Sequence, residues 1–189
     1  QGRLSRRRRW IAVTFVLTVL SLALSCAMLL LGNTIYPVRD VVAILLGEEI
    51  QGATFAIKTI RLPRMLAGLF AGFAFGIAGY TFQTMLRNPL ANPNVIGVTS
   101  GSSAAAVFCI IVLHSSKAVT SLVSVIAGLL TVLIIYGLAK GKSFSIGRLI
   151  LVGIGIQAMC NSMITYLMLI GEEHNLPAAV RWLTGSLNG

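Results

Sequence analysis

Acidic side chains are scarce in this sequence, and none lies in its long apolar runs. Only five Asp and Glu residues occur among 189, against fifteen Lys and Arg and two His. Intramembrane catalysis and proton relays depend on ionisable side chains, so the shortage argues against an intramembrane enzyme and against a secondary carrier built from five-helix repeats. The three cysteines, Cys26, Cys109 and Cys160, lie in different runs, which predicts no disulfide framework, no metal site and no cofactor.

Apolar residues, by contrast, make up 56% of the chain, and charged residues only 11%. A soluble fold of this length could not bury so much apolar surface. A bilayer core of roughly 30 Å is crossed by about 20 apolar helical residues. Five uncharged runs approach or exceed this length, and they cover residues 10–31, 65–86, 95–113, 118–139 and 149–170. Backbone groups in lipid must pair within their own segment, so the sequence predicts an all-α integral membrane protein with five transmembrane helices.

The formal charge of +10 gives no indication of a nucleic-acid partner, because the charged residues are distributed as in a membrane protein. If residues 1–9 form a basic cytoplasmic N-terminus, the predicted inner segments contain nine basic residues and no acid. The outer segments then contain the other six basic residues and all five acids. This asymmetry is typical of multi-pass proteins, whose inner loops retain Lys and Arg. The first run is too long for the apolar part of a signal peptide, so residues 10–189 are predicted to form one five-span domain.

Three small-residue or polar patterns lie on or beside these runs. Gly68, Gly72 and Gly76 recur every four residues and so share one face of the second helix, where small residues favour close helix packing. The fifth run has an uncharged polar stripe, which either bonds to neighbouring helices or lines a wet pathway. Its residues are Gln157, Asn161 and Thr165.

Two arginines, Arg61 and Arg64, flank Leu62-Pro63 just before the second run, on the predicted outer side. Arginines on the outer side are an exception to the rule that positive charges are concentrated on the cytoplasmic side. Contact with lipid headgroups explains them as ordinary anchors. The alternative is docking to an acidic protein partner.

The segment from Arg61 to Val107 resembles the FecCD family of ABC importer permeases. The resemblance rests on an ordered set: Arg61-Leu62-Pro63-Arg64, the glycine-rich helix, Gln83, Arg87-Asn88-Pro89-Leu90-Ala91, Pro93, Gly97 and Ser100-Gly101. Residues 148–155 and 182–187 are also similar to family segments. The resemblance implies the first half of a ten-helix permease of the bacterial cytoplasmic membrane.

The same resemblance implies partners and site residues. Family permeases pair as homo- or heterodimers and work with cytoplasmic ATPase subunits and an extracytoplasmic substrate-binding protein, so the permease itself is not an enzyme. The expected cargo is an iron(III)–siderophore complex, with vitamin B12 or haem as the alternative. By position, Arg61 and Arg64 would dock the binding protein. Leu90, Ile146 and Gly147 would form a cytoplasmic gate.

Overall fold

The computed structural model describes residues 2–32, 34–92, 94, 97–140 and 145–186, and no strand occurs within these ranges. Helices account for most of the backbone in these ranges. They are α1 (Gly2–Leu30), α2 (Val38–Leu46), a π-helical segment (Phe55–Arg61), α3 (Leu62–Leu86), α4 (Val98–Ile111), α5 (Lys117–Ala139), α6 (Ile146–Ile170) and α7 (Leu176–Thr184). The predicted all-α class is confirmed.

Four of the helical stretches are long and apolar enough to cross a membrane. They are Arg6–Leu30, Phe55–Leu86, Lys117–Ala139 and Ile146–Ile170, and they contain most or all of the predicted runs 10–31, 65–86, 118–139 and 149–170. The third predicted span, 95–113, corresponds to α4, whose 14 residues extend only about 21 Å. Val95 and Ile96, at the start of that prediction, lie outside the described residues.

The second long helix begins at Phe55, well before the predicted start at residue 65. Lys58, Arg61 and Arg64 interrupt the apolar run but do not interrupt the helix. Pro63 explains why the first seven residues are π-helical, because a proline ring clashes with the carbonyl four residues earlier in a regular α-helix. The wider turn accommodates the ring, and the Leu62 backbone N–H accordingly donates to the Ile57 carbonyl, five residues back.

The chain divides into two compact units, residues 1–74 and 75–187. In the first unit, a small core joins the end of α1 to α2 and the π-helical segment. Ile44 and Ile57 are fully buried at its centre. Leu29, Val41 and Ala53 complete it, so the segment between α1 and α3 is folded onto the helix ends.

In the second unit, α4 is the most enclosed helix and packs against α5, α6 and α7. Half of its residues are buried, mainly small ones that permit close backbone approach. The space at Gly101 is filled by the Thr131 side chain of α5. Ser102 Oγ donates to the Ser124 carbonyl at 2.8 Å. A helix with small residues is therefore enclosed by two longer helices, α5 and α6, and by the short α7.

Two further apolar clusters lie toward the two ends of α6. Ile135, Ala139 and Leu149 form one, with Phe82 of α3 packed against it. The other contains Ala179 of α7 and joins it to α4 and α6 through Val107, Ile111 and Leu167. The α7 helix lies beyond the last of the five predicted runs and is thus an additional helix.

Candidate functional site

The guanidinium of Arg61 is held by backbone carbonyls of its own unit. Nη1 donates to the Leu29 carbonyl at 2.9 Å, and Nη2 donates to the Thr34 carbonyl at 2.6 Å. The Arg61 Cζ atom also lies 4.8 Å from the centre of the Tyr36 ring. Two of the five guanidinium donors are therefore committed, and the others remain for additional partners.

Arg64 lies three residues further along the same helix and is half-buried. Nearby in sequence, an open cavity of about 530 Å³ is lined by residues between Glu49 and Thr59. Its lining includes one acid, Glu49, and one base, Lys58. This open cavity thus presents mixed charge, which suits contacts with a protein surface better than enclosure of a small ligand.

The polar stripe of α6 is split into two different environments. Gly153 is buried and Gln157 is half-buried, and both pack on Gly97, which precedes α4. Asn161 and Thr165 are exposed. The Thr165 hydroxyl donates to the Asn161 carbonyl at 2.9 Å, a bond that satisfies a hydroxyl inside an apolar helix. Only Asn161 and Thr165 therefore present open polar surface.

Two asparagines in the loop after α3, Asn88 and Asn92, form side-chain turns. Asn88 Oδ1 accepts from the Leu90 N–H at 2.9 Å, and Asn92 Oδ1 accepts from the Asn94 N–H at 3.0 Å. Such turns are the usual reason for Asn in a tight connection. The α3 helix itself ends at Leu86, and Arg87, which follows it, has a φ of +50°. Leu90 is consequently presented on a defined turn.

Leu90 is 89% exposed, so its side chain has almost no packing contact within the chain. Ile146 and Gly147 form the first turn of α6, after Ser145. Both are exposed, Ile146 to 38%. All three predicted gate residues therefore lie on accessible surface, and Leu90 does not pack on the start of α6.

The glycine face of α3 is open. An added Cβ would meet nothing within 4 Å at Gly72, Gly76 or Gly79, and Gly68 is half-buried. No residue of α3 is buried. No described residue therefore packs closely on Gly72 or Gly76, and the close helix packing predicted for Gly68, Gly72 and Gly76 stays a prediction.

One contact was missed by sequence reasoning. Asn175 Nδ2 lies 3.1 Å from His114 Nδ1, joining the α4–α5 turn to the start of α7. The sequence did contain a signal for α7 itself, Pro177 in its first turn, because proline is favoured at the start of a helix. The His114 contact has no signal in the sequence, since the two residues are far apart along the chain.

Comparisons with known proteins agree with the motif resemblance. The model of the FecCD transport family matches residues 17–189. The achromobactin transport system permease protein of Dickeya dadantii is 33% identical over 100% of this chain and 55% of its own length. The ferric enterobactin transport system permease protein of Escherichia coli is 32% identical over 84% of this chain and 48% of its own length. The chain therefore spans about half the length of these curated relatives.

Other relatives are named for a different cargo. The vitamin B12 import system permease protein of Vibrio vulnificus is 29% identical over 97% of this chain and 54% of its own length. Among solved structures, an inward-facing ABC transporter described as of metal-chelate type is similar with a TM-score of 0.74 and 28% identity. That similarity covers 95% of this chain and 53% of the other.

Proposed function

This chain belongs to the FecCD transport family, and we propose that it forms the first half of a permease subunit in a binding-protein-dependent ABC importer of iron(III)–siderophore complexes. The match over residues 17–189 carries the proposal. Relatives named for achromobactin and ferric enterobactin support the cargo. The vitamin B12 permeases among the relatives keep cobalamin as the alternative cargo.

In this proposal the chain has no catalytic role. Cytoplasmic ATPase subunits supply the energy, an extracytoplasmic binding protein delivers the chelate, and a second permease subunit, identical or different, completes the pathway. The absence of Asp and Glu from the apolar runs supports this division of labour. An uncharged wall suits a large solute, because it offers no fixed charge that would hold the solute in place.

We assign three surfaces to this function. The Arg61–Arg64 motif receives the binding protein, whose surface there is acidic. Leu90, Ile146 and Gly147 contribute to the cytoplasmic gate, and the exposure of all three supports a contact made outside the described chain. Asn161 and Thr165 line the pathway, whereas Gln157 supports the wall through Gly97.

The open glycine face of α3 belongs to the same proposal. Gly68, Gly72 and Gly76 would receive a helix from the remaining half of the permease, because relatives are nearly twice as long as this chain. Small residues at four-residue spacing allow such an approach in a membrane.

Uptake by cells provides the test. Bacteria with the full-length gene deleted are compared with the parent strain and with a strain lacking the partner ATPase, under iron limitation. Selective loss of labelled ferric-siderophore uptake in both mutants is expected. Loss of cobalamin uptake alone would replace the proposed cargo, and normal uptake of both compounds would contradict an importer of either.

A further inference from the structure

Arg61 closes the end of α1. The last four carbonyls of an α-helix have no partner within the helix, and Leu29 belongs to this group because α1 ends at Leu30. The Arg61 guanidinium satisfies the Leu29 carbonyl. A cation at a helix C-terminus also interacts favourably with the helix dipole.

The same guanidinium holds the segment that follows α1. It donates to the Thr34 carbonyl and packs beside the Tyr36 ring. The Tyr36 hydroxyl in turn donates to the Gly52 carbonyl at 3.3 Å. One side chain thereby connects the end of α1, residues 34–36 and the turn before the π-helical segment.

Gly32 provides the space for this arrangement. A Cβ at Gly32 would lie 2.5 Å from Arg61 Nη2 and 2.9 Å from Arg61 Cζ. The conflicting atoms are the end of a flexible side chain, so an alanine at this position would displace the guanidinium and leave the backbone intact. Substitution of Gly32 is therefore expected to remove the contacts of the Arg61 guanidinium without changing Arg61 itself.

The base of Arg61 is rigid. It is the last residue of the π-helical segment, which is anchored by the fully buried Ile57. A lysine here would keep the charge but would replace a planar, two-pronged donor with a single flexible ammonium. Charge and geometry can therefore be separated experimentally.

We propose that Arg61 is a positioning residue that fixes residues 34–36 and the end of α1, and so shapes the surface on which an acidic protein partner docks. The effect on docking rests on the proposed function. The closing of α1 does not, because it follows from contacts within the chain.

The test uses the full-length permease with its ATPase in nanodiscs. Hydrogen exchange is followed in peptides containing Thr34 to Tyr36, and the Kd of the cognate binding protein is measured on the same samples. Arg61→Lys and Gly32→Ala are compared with Arg39→Gln, which removes an exposed positive charge from α2 and is not part of the Arg61 contacts.

Both Arg61→Lys and Gly32→Ala are expected to raise exchange by about tenfold and the Kd by about tenfold, because each breaks the same charge-assisted bonds. Arg39→Gln should change neither by a comparable amount.

Unchanged exchange and Kd in Arg61→Lys would show that charge alone suffices and would overturn the proposal. Raised exchange with an unchanged Kd would overturn the link to docking, and a raised Kd with unchanged exchange would make Arg61 a direct contact instead. If the wild-type complex bound no binding protein while exchange rose as expected, the proposed function would fail and the closing of α1 would stand.

Discussion

Gly97 carries two requirements at once. Its φ is +74°, a backbone conformation that costs other residues roughly 1–2 kcal/mol. A Cβ there would also lie 2.7 Å from the Gly153 carbonyl oxygen and 3.1 Å from Gln157 Cβ. Gly97, the residue before α4, therefore lies directly on α6, and glycine is the residue that permits this approach.

Gly97→Ala should destabilise the protein more than Gly47→Ala. Gly47 is also left-handed, with φ +113° and ψ 0°, but has nothing within 4 Å of an added Cβ. Both variants place an alanine at a positive φ, and only Gly97→Ala also causes overpacking, which costs about 1–3 kcal/mol. The thermal midpoints of the detergent-solubilised full-length variants give the comparison. Equal thermal midpoints would mean that α6 shifts to make room for the added methyl group without loss of stability.

Arg61 and Gln157 illustrate what the sequence predicts at the residue scale and what it does not. The motif selects Arg61, and the four-residue spacing selects Gln157. Their partners, the Leu29 and Thr34 carbonyls for Arg61 and Gly97 for Gln157, depend on tertiary packing. Periodicity describes a face of one helix and contains no information about what that face meets.

Among the elements, α4 and α5 form the closest pair. Where Gly101 faces Thr131, there is no room for a methyl group, since the Thr131 Cβ would lie only 2.8 Å from an added Cβ. Where Gly128 faces Ser102, the corresponding separation is 3.4 Å, an ordinary contact. Packing at van der Waals distance is the main source of helix association in lipid.

Gly101→Ala should therefore disrupt this pair, whereas Gly128→Ala should be nearly neutral. The expected loss for Gly101→Ala is about 1–3 kcal/mol, because Thr131 must move within a packed helix pair. The yield of monodisperse full-length protein and its thermal midpoint report the difference. Adding Thr131→Gly to Gly101→Ala should recover part of the loss. If the double variant had the same yield and thermal midpoint as Gly101→Ala, the loss would not come from the contact with Thr131.

Helix positions were predicted better than helix ends. The apolar runs located α1, α3, α5 and α6, because a long uncharged stretch has no other stable backbone arrangement in lipid. The same criterion could not detect α7, which is only nine residues long and contains Arg181. It also stopped at Arg64, although the helix continues back to Phe55, because charged side chains end an apolar run without ending a helix.

At the scale of the whole molecule, several surfaces lack a partner in the described chain. Gly72, Gly76 and Gly79 of α3 have no described atom within 4 Å of an added Cβ, and Leu90 is almost fully exposed. Relatives extend to nearly twice this length. The family resemblance anticipated a second half, and a partner from it would account for both features without any change in the helices described.

The distribution of charge predicts on which side of the membrane each loop lies, whereas helix packing contains no such information. The two ends of α5 allow this predicted topology to be tested. Its 23 residues extend about 35 Å, so its ends should lie on opposite sides of the membrane. With a cytoplasmic N-terminus, an impermeant maleimide should label Lys117→Cys in intact spheroplasts and Lys140→Cys only after permeabilisation. Both variants are made in full-length protein without native cysteines. The reverse pattern would invert the topology, and labelling of both in intact spheroplasts would mean that α5 does not span.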